Sequence, residues 1–566
     1  MGRLNAYIIT AIVAAIFGFF FLYPVASVLD YAFRDQDQNL TFKYFLNVFQ
    51  NPVYLEGLWN ALKIGVASTI ATFAIAFPLA LISHRYNFPG KKWLSIFILI
   101  PLVLPPFVGA VGVKQMLGVN GSLNALLYEL GLMDAASPYD WLGHGRFWGI
   151  VVMNALHLYP ILYINILAAL NNLDPTMEQA AQNLGCSPWR RLRKITLPLC
   201  MPGIFAGAAI VFIWSFTELG VPLVFDYNRV ASVQVYDGIK NLNENPMPYA
   251  LVAVMLIASF SIFLFSKLVL GNQSFGSSAR PKSQSSQKDL NWKTGGWITI
   301  GFTLLVIIAS IPHFGVLFMS VAEDWYGTML PGATTSQHYS DGLGHPLVIG
   351  SIKNSLLYAS GATILDVIVG LAIAWVIVRS TVWGRNVLDA LLMLPLAVPG
   401  LVLAFGYLTL SEPGQPFYFL VGPLGGNPVF LLIVAYAIRR IPYVVRAAVA
   451  GLEQSNPELE EAALSLGAKP TKMLRRVAIP LIGSNLAAGA ILAFAFAMLE
   501  VSDSLILAQQ AEHFPITKAI YALLSTLGNG HEIASALGVW AMIFLGIAIT
   551  GAFALVGKRS GGLFKL

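Results

Sequence analysis

Charge is what this sequence has least of. Only 11% of its 566 residues are Asp, Glu, Lys or Arg, while 57% are hydrophobic; ordinary soluble domains carry about 25% charged residues. That deficit excludes a soluble domain. Cysteine is almost as scarce, with Cys186 and Cys200 the two examples. No histidine or second cysteine pair lies at ligand spacing, so a metal centre built on them is not expected. A disulfide is not expected on the cytoplasmic side, where the topology below puts them. A phosphate-binding loop of the form G-x-x-x-x-G-K-[ST] is missing too. The nearest approach, Gly557-Lys558-Arg559-Ser560, lacks the upstream glycine and a Ser or Thr directly after the lysine. The chain is therefore not expected to be an enzyme or to bind a cofactor or metal of its own.

What is abundant is apolar sequence in runs of about 20 residues, long enough to cross a hydrocarbon core of about 30 Å as helices. The expected fold is all-α and polytopic, with about 12 transmembrane helices near 7–29, 59–82, 94–117, 147–170, 199–219, 247–270, 296–320, 354–378, 387–410, 428–450, 481–504 and 533–556. Residues 1–28 share features with a secretory signal peptide. A comparable run recurs at 297–320, where no signal peptide could be, so the first run is read as a span. Six spans fall in each half, giving units 1–270 and 296–566 joined by a polar Ser-, Gln- and Lys-rich linker at 271–295.

The halves are repeats. Glu178 to Pro198, EQAAQNLGCSPWRRLRKITLP, returns as EEAALSLGAKPTKMLRRVAIP from Glu460 to Pro480 at an offset of 282. Asn60, Arg85, Gly90, Pro101 and Pro105 return as Asn354, Arg379, Gly384, Pro395 and Pro399 at an offset of 294. The difference of 12 places an insertion in the first half within roughly 106–159, the loop about 118–146 being its expected seat. Of the 34 Lys and Arg residues, 22 fall in one set of inter-span segments, 7 in the opposite set and 5 inside spans. The richer set is cytoplasmic by the positive-inside rule, and it holds both termini and both repeated stretches. The net charge of +6 thus sets orientation, and no nucleic-acid partner is expected.

Each repeated stretch reads as a short helix between spans 4 and 5 or 10 and 11. Asp174-Pro175 and Asn456-Pro457 are start signals, followed by acidic first turns. Ala180, Ala181 and Leu184, and Ala462, Ala463 and Leu466, share a small apolar face suited to docking. Gly185 and Gly467 permit a turn or a close approach. A single such helix could simply lie on lipid headgroups. Two with the same internal spacing, at the same place in each half, favour docking onto a partner.

Glu-Ala-Ala, three residues, Gly, nine residues, Ile-x-Leu-Pro resembles the cytoplasmic signature of permeases of binding-protein-dependent ATP-driven importers. Glu461, Ala462, Ala463, Gly467 and Pro480 carry it in the second copy, with Val477 and Ile479 as conservative changes. Ala180, Ala181, Gly185, Ile195, Leu197 and Pro198 carry it in the first, where Gln179 replaces the signature Glu and Glu178 precedes it. Fusion of two halves resembles the ferric-iron permeases and, less closely, the thiamine permeases. The resemblance implies a bacterial inner-membrane permease subunit for a small solute, ferric iron first, with thiamine, a polyamine or a phosphonate as alternatives. It also implies two copies of an ATPase subunit, carrying ATP and Mg, on the cytoplasmic face, and a soluble binding protein outside. The ATPase-coupling residues it implies are Glu178, Gln179, Ala180, Ala181, Gly185, Glu460, Glu461, Ala462, Ala463 and Gly467. A secondary transporter with parallel repeats is the rival from another class.

Five polar residues are pathway candidates. Glu218 and Glu500 correspond at offset 282, near the outer ends of spans 5 and 11, where paired carboxylates would favour a cation. Asp226, Tyr227 and Arg229 lie just beyond span 5 as oxygen-rich loop residues. Asp366, Arg439 and Arg440 are all near mid-membrane at about 1.5 Å per residue. A bare charge there costs roughly 2.5–3.5 kcal/mol, so a salt bridge between Asp366 and one of the two arginines is expected, as a structural tie or as a gate. The first-half counterparts are Thr72, His157 and Leu158, so this cluster belongs to the second half alone.

Overall fold

Proline sets the helix boundaries throughout this chain, and it does so in the same places twice. In the computed structural model, which describes residues 3–35, 39–134, 136–143, 146–239, 245–270, 287–422, 426–526 and 528–559, the long helices Pro52–Arg85 and Pro346–Arg379 both open on proline. Its missing N–H costs nothing in a first turn. Asn51 caps the first of these by accepting from the Val53 amide at 2.9 Å. Most of the linker expected at 271–295 lies outside the described residues. At its end, Lys288–Asp289 pairs in parallel with Tyr86–Asn87.

Among the described residues, nine helices are long and apolar enough to cross a membrane, or up to eleven if each of two bent pairs counts as one span. The count of twelve is therefore met in part, and the differences have physical reasons. The expected straight spans 94–117 and 387–410 are broken. Lys91–Val103 and Pro106–Glu129 meet at 92°, and Arg385–Ala397 and Gly400–Leu410 at 94°. The breaks fall at Leu104-Pro105 and Val398-Pro399, where the residue before proline is driven from helical into extended geometry, ψ 129° at Leu104 and 123° at Val398. The run expected at 296–320 likewise divides into Trp292–Ala309 and Ile311–Val321, with Pro312 in the new first turn. Val429–Gln454 has 26 residues, enough to cross, but Arg439, Arg440 and Arg446 keep it out of the apolar count.

Where Pro198 and Pro480 follow the basic runs, the backbone widens into π-helical turns, Leu192–Thr196 and Leu474–Ala478. Proline removes an i→i−4 bond and crowds the carbonyl four residues back, and one wide turn relieves both. In the region expected to hold the first-half insertion, a short helix Ser122–Glu129 is tied down by Asn124, which donates to Val119 O at 2.8 Å and Tyr139 O at 2.7 Å.

Packing divides the chain differently from the sequence repeat. One compact unit comprises Met1–Val48, Val235–Val254 and Thr335–Leu566; the other comprises Phe49–Gln234 and Met255–Thr334. Each unit thus contains the opening span of the other half. In the first unit, Ala6–Ala32 lies on Gly400–Leu410, with Tyr407 Oη donating to Phe20 O at 2.6 Å. In the second, Ile311–Val321 lies on Pro106–Leu117 so closely that a Cβ added at Gly112 would sit 2.6 Å from the Val316 nitrogen. Glycine at Gly112 and Gly315 is what permits that approach.

Candidate functional site

The two repeated stretches fold alike down to their caps. Pro175–Asn183 starts at Asp174, whose carboxylate accepts from the Thr176 amide at 2.9 Å, and Glu458–Ser465 starts beside Asn456, which accepts from the Glu458 amide at 3.0 Å. Both end in a Schellman turn. Gly185 N donates to Gln182 O and Cys186 N to Ala181 O, each at 2.9 Å; Gly467 N donates to Leu464 O at 2.9 Å and Ala468 N to Ala463 O at 3.0 Å. The two glycines are left-handed, φ 77° and 84°, with open space around them, so they serve the turn.

Each helix is anchored through its first turn. Glu178 pairs with Arg85 at 3.0 Å and also accepts from the Thr196 hydroxyl. Glu460 is gripped by Arg379, whose Nε reaches the two carboxylate oxygens at 3.2 and 3.1 Å, while its Nη2 also reaches Ser455 Oγ at 2.8 Å and Leu452 O at 2.9 Å. Burial by itself would raise the Glu178 pKa. The Thr196 hydrogen bond and the Arg85 charge outweigh it and hold the group below its ordinary value.

With these glutamates turned inward, Gln179 and Glu461 are exposed. Ala180, Leu184, Ala462 and Leu466 are exposed with them, the two leucines at 88% and 89%. Ala181 is buried and Ala463 half-buried, so neither extends the outward apolar face that the sequence suggested. Their place is taken by Met177 and Leu459, about half exposed. Met177, Ala180 and Leu184, like Leu459, Ala462 and Leu466, stand at i, i+3 and i+7 on one helical stripe. The i−3 spacing from Ala180 was the available signal for Met177.

The interior charges pair differently from the expectation. Arg439 Nη1 lies 2.8 Å from Glu500 and 3.3 Å from Asp503; Arg440 pairs with the other Glu500 oxygen and donates to Phe496 O at 3.0 Å. The Asp366 carboxylate is fully buried and neither oxygen has a hydrogen-bond partner. The expected Asp366 salt bridge is therefore absent. Glu500 supplies the counter-charge because it follows the helix Ile479–Met498, which packs against the helix carrying both arginines. Asp503, missed in the sequence, is three residues beyond it.

Glu218 caps the next short helix, accepting from the Gly220 and Val221 amides at 3.0 and 3.2 Å, as Glu500 accepts from the Asp503 amide at 3.3 Å. Asp226 is held by Lys114 at 2.9 Å and Arg146 at 2.7 Å, and Arg229 by Glu56 at 2.7 Å. Burial would raise the Asp226 pKa, but these two cations hold it below its ordinary value. No group of three or more His, Cys, Asp or Glu suited to a metal ion occurs among the described residues.

Two matched short helices thus recur in the two halves of the chain. Residues 76–274 and 366–561 each match the family described as binding-protein-dependent transport system inner membrane component. The chain belongs to that family as a fused two-domain ABC-importer permease, a multi-pass membrane protein and not an enzyme. Membership implies partnership with an ATPase subunit and a periplasmic binding protein. The chain is 30% identical over 509 residues, 86% of its length and 69% of the relative's, to the ferric transport system permease protein FbpB of Actinobacillus pleuropneumoniae. It is 34% identical over 177 residues, 31% of its length and 72% of the relative's, to the molybdenum transport system permease protein ModB of Haemophilus influenzae. Among solved structures, a bacterial ABC transporter involved in the import of the acidic polysaccharide alginate aligns with 48% of this chain and 96% of that one, with 19% identity and a TM-score of 0.39.

Proposed function

We propose that this permease carries ferric iron, delivered by a soluble binding protein on the outer face, into a bacterial cytoplasm. In this reading Pro175–Asn183 and Glu458–Ser465 each sit in a cleft of one of two ATPase subunits, both chain termini face the cytoplasm, and ATP and Mg stay on the ATPase. The observation that carries the iron reading is the extent of likeness. The relative named for ferric transport aligns across 86% of the chain and so spans both halves, whereas those named for molybdenum and for spermidine/putrescine align over 31% and 34%. The coupling reading is supported by the exposed stripes Met177–Ala180–Leu184 and Leu459–Ala462–Leu466, which repeat with the same spacing in both halves. Glu178 and Glu460 take the anchoring role. Gln179, Glu461, Ala180 and Ala462 face the partner, Ala181 and Ala463 back the helices, and Gly185 and Gly467 form the turns.

The direct test is solute uptake by the permease reconstituted with its ATPase and with the binding protein encoded beside it. ATP-dependent accumulation of ferric iron is expected. Accumulation of molybdate, thiamine or spermidine in its place would reject iron. Uptake driven by a proton gradient without ATP would reject the coupling reading as well.

A further inference from the structure

The segments that follow the fifth and eleventh spans correspond at a different offset from the stretches before them. Asn60 Nδ2 donates to Arg229 O at 2.8 Å, and its counterpart Asn354 donates to Glu512 O at 2.7 Å and to Phe514 O at 3.1 Å. Ser232 Oγ donates to the Glu218 backbone carbonyl at 2.6 Å, and Thr517 Oγ1 to that of Glu500 at 2.6 Å. The Ser232 and Thr517 contacts make residue 232 equivalent to 517, an offset of 285, three more than the 282 that holds through Glu218 and Glu500, and the Phe514 contact of Asn354 fits the same offset from Arg229. The helices Ala231–Gly238 and Ile516–Leu523 begin in the same register. Under that register Tyr236 is the counterpart of Tyr521.

These two tyrosines touch. Their rings stand edge to face, centroids 6.3 Å apart at 88°, inside the first compact unit, an arrangement favourable for aromatic pairs. Lys518, which corresponds to Val233, adds a second tie. Its ammonium is 3.4 Å from Tyr236 Oη, 5.6 Å from that ring's centroid and 2.9 Å from Leu505 O. Counterpart residues of a repeated structure meet only near the line that relates the repeats. In transporters built from parallel repeats, the solute crosses at the repeat interface. The helix Ile479–Met498 leaves the second basic coupling stretch and runs for 20 residues, about 30 Å, before the segment of Tyr521 begins. Within the first unit, the contact therefore stands at the far end of that helix from Glu458–Ser465.

We propose that Tyr236 and Tyr521, braced by Lys518, form the seal that closes the solute pathway on the binding-protein side. The inference rests on the permease reading and on the coupling helices facing the cytoplasm. It does not depend on which solute is carried. Two half-buried rings suit the task because they exclude water across a wide area with few rotatable bonds, while an edge-to-face contact parts without breaking a covalent or ionic bond.

The test uses the full permease–ATPase complex in lipid, with Cys186→Ser and Cys200→Ala as background and Tyr236→Cys with Tyr521→Cys added. A short bis-methanethiosulfonate, which links each cysteine through a disulfide, should join the two positions in the nucleotide-free complex. Yield should fall about tenfold when the binding protein and ATP with vanadate trap the open state, since most molecules would then have parted the seal. The joined complex should lose binding-protein-stimulated ATP hydrolysis and regain it on reduction. An equal yield in both states, or unimpaired stimulation after joining, would overturn the proposal. Separately, Tyr236→Ala with Tyr521→Ala should make vesicles leak a small impermeant dye, whereas the double Phe variant should stay tight. A tight double Ala variant that still assembles with the ATPase would also overturn it. Neither readout uses a transported solute, so a failed iron assay leaves the seal standing, and a failed seal leaves the iron reading untouched.

Discussion

Arg379 holds both oxygens of Glu460, at 3.1 and 3.2 Å from its Nε, with side chains only 15% and 7% exposed, while the corresponding Arg85 reaches one oxygen of Glu178 at 3.0 Å with 20% and 26% exposed. The two halves thus share an anchor but not its strength. Removing one partner of a buried pair costs about 3–5 kcal/mol, and a half-open one about 1–3 kcal/mol. Arg379→Ala should therefore lower the thermal stability of the purified permease clearly more than Arg85→Ala. Equal losses would mean that the second anchor's extra bonds contribute nothing.

The first anchor also has a pH signature. Glu178 is held below its ordinary value of 4.5, so its ionised form is favoured by folding. Its contribution is complete above the unfolded value and is lost as pH falls through the lower folded value. Comparing the parent with Glu178→Gln, the stability gap should be constant above the ordinary carboxylate range and should narrow steadily as pH falls below it. A gap that does not narrow on acidification would contradict the charge-based anchor.

At the turn, alanine in a left-handed conformation costs roughly 1–2 kcal/mol, and asparagine less. Gly467→Ala should leave membrane insertion intact but weaken ATPase association, with Gly467→Asn retaining most of it. Full association of the Ala variant would separate the turn from coupling. On the exposed stripe, Leu466→Asp should abolish co-purification of the ATPase with no change in melting temperature, because a side chain 89% exposed supports no internal packing. Glu461→Ala should weaken association more than Gln179→Ala, since charged hydrogen bonds are roughly twice as strong as neutral ones.

How much of this was legible depended on whether one residue's own chemistry decided the matter. The repeat, the helical class, the caps at Asp174 and Asn456 and the turns at Gly185 and Gly467 are local, and the sequence carried them. Pro105 and Pro399 were visible as repeat landmarks, but reading the apolar runs alone hid the 92° and 94° breaks that they impose. Apolar runs likewise gave no hint that each opening span packs into the other half's unit, because any lipid-facing helix reads the same. Pairing among interior charges is a tertiary property. Depth matched Asp366 to Arg439 and Arg440 and put Glu500 near the outer end of its span, and only the packing of Ile479–Met498 against Val429–Gln454 makes Glu500 the partner.

That decision yields opposite outcomes for two acidic residues. Glu500 is 5% exposed and answers both arginines, so Glu500→Gln strands the buried Arg440 and leaves Arg439 with Asp503 alone, and should cost about 3–5 kcal/mol, seen as lost assembly. Asp366 gives up no hydrogen bond when it changes, because neither of its oxygens has one. Asn keeps the size of this buried side chain and brings no charge that needs a partner. Asp366→Asn should thus melt within about 1 kcal/mol of the parent and assemble with the ATPase normally, whereas exchanging charges as Asp366→Arg with Arg440→Asp should fail, since Glu500 would then face an aspartate. Loss of assembly in Asp366→Asn as severe as in Glu500→Gln would return Asp366 to the ion-pair network.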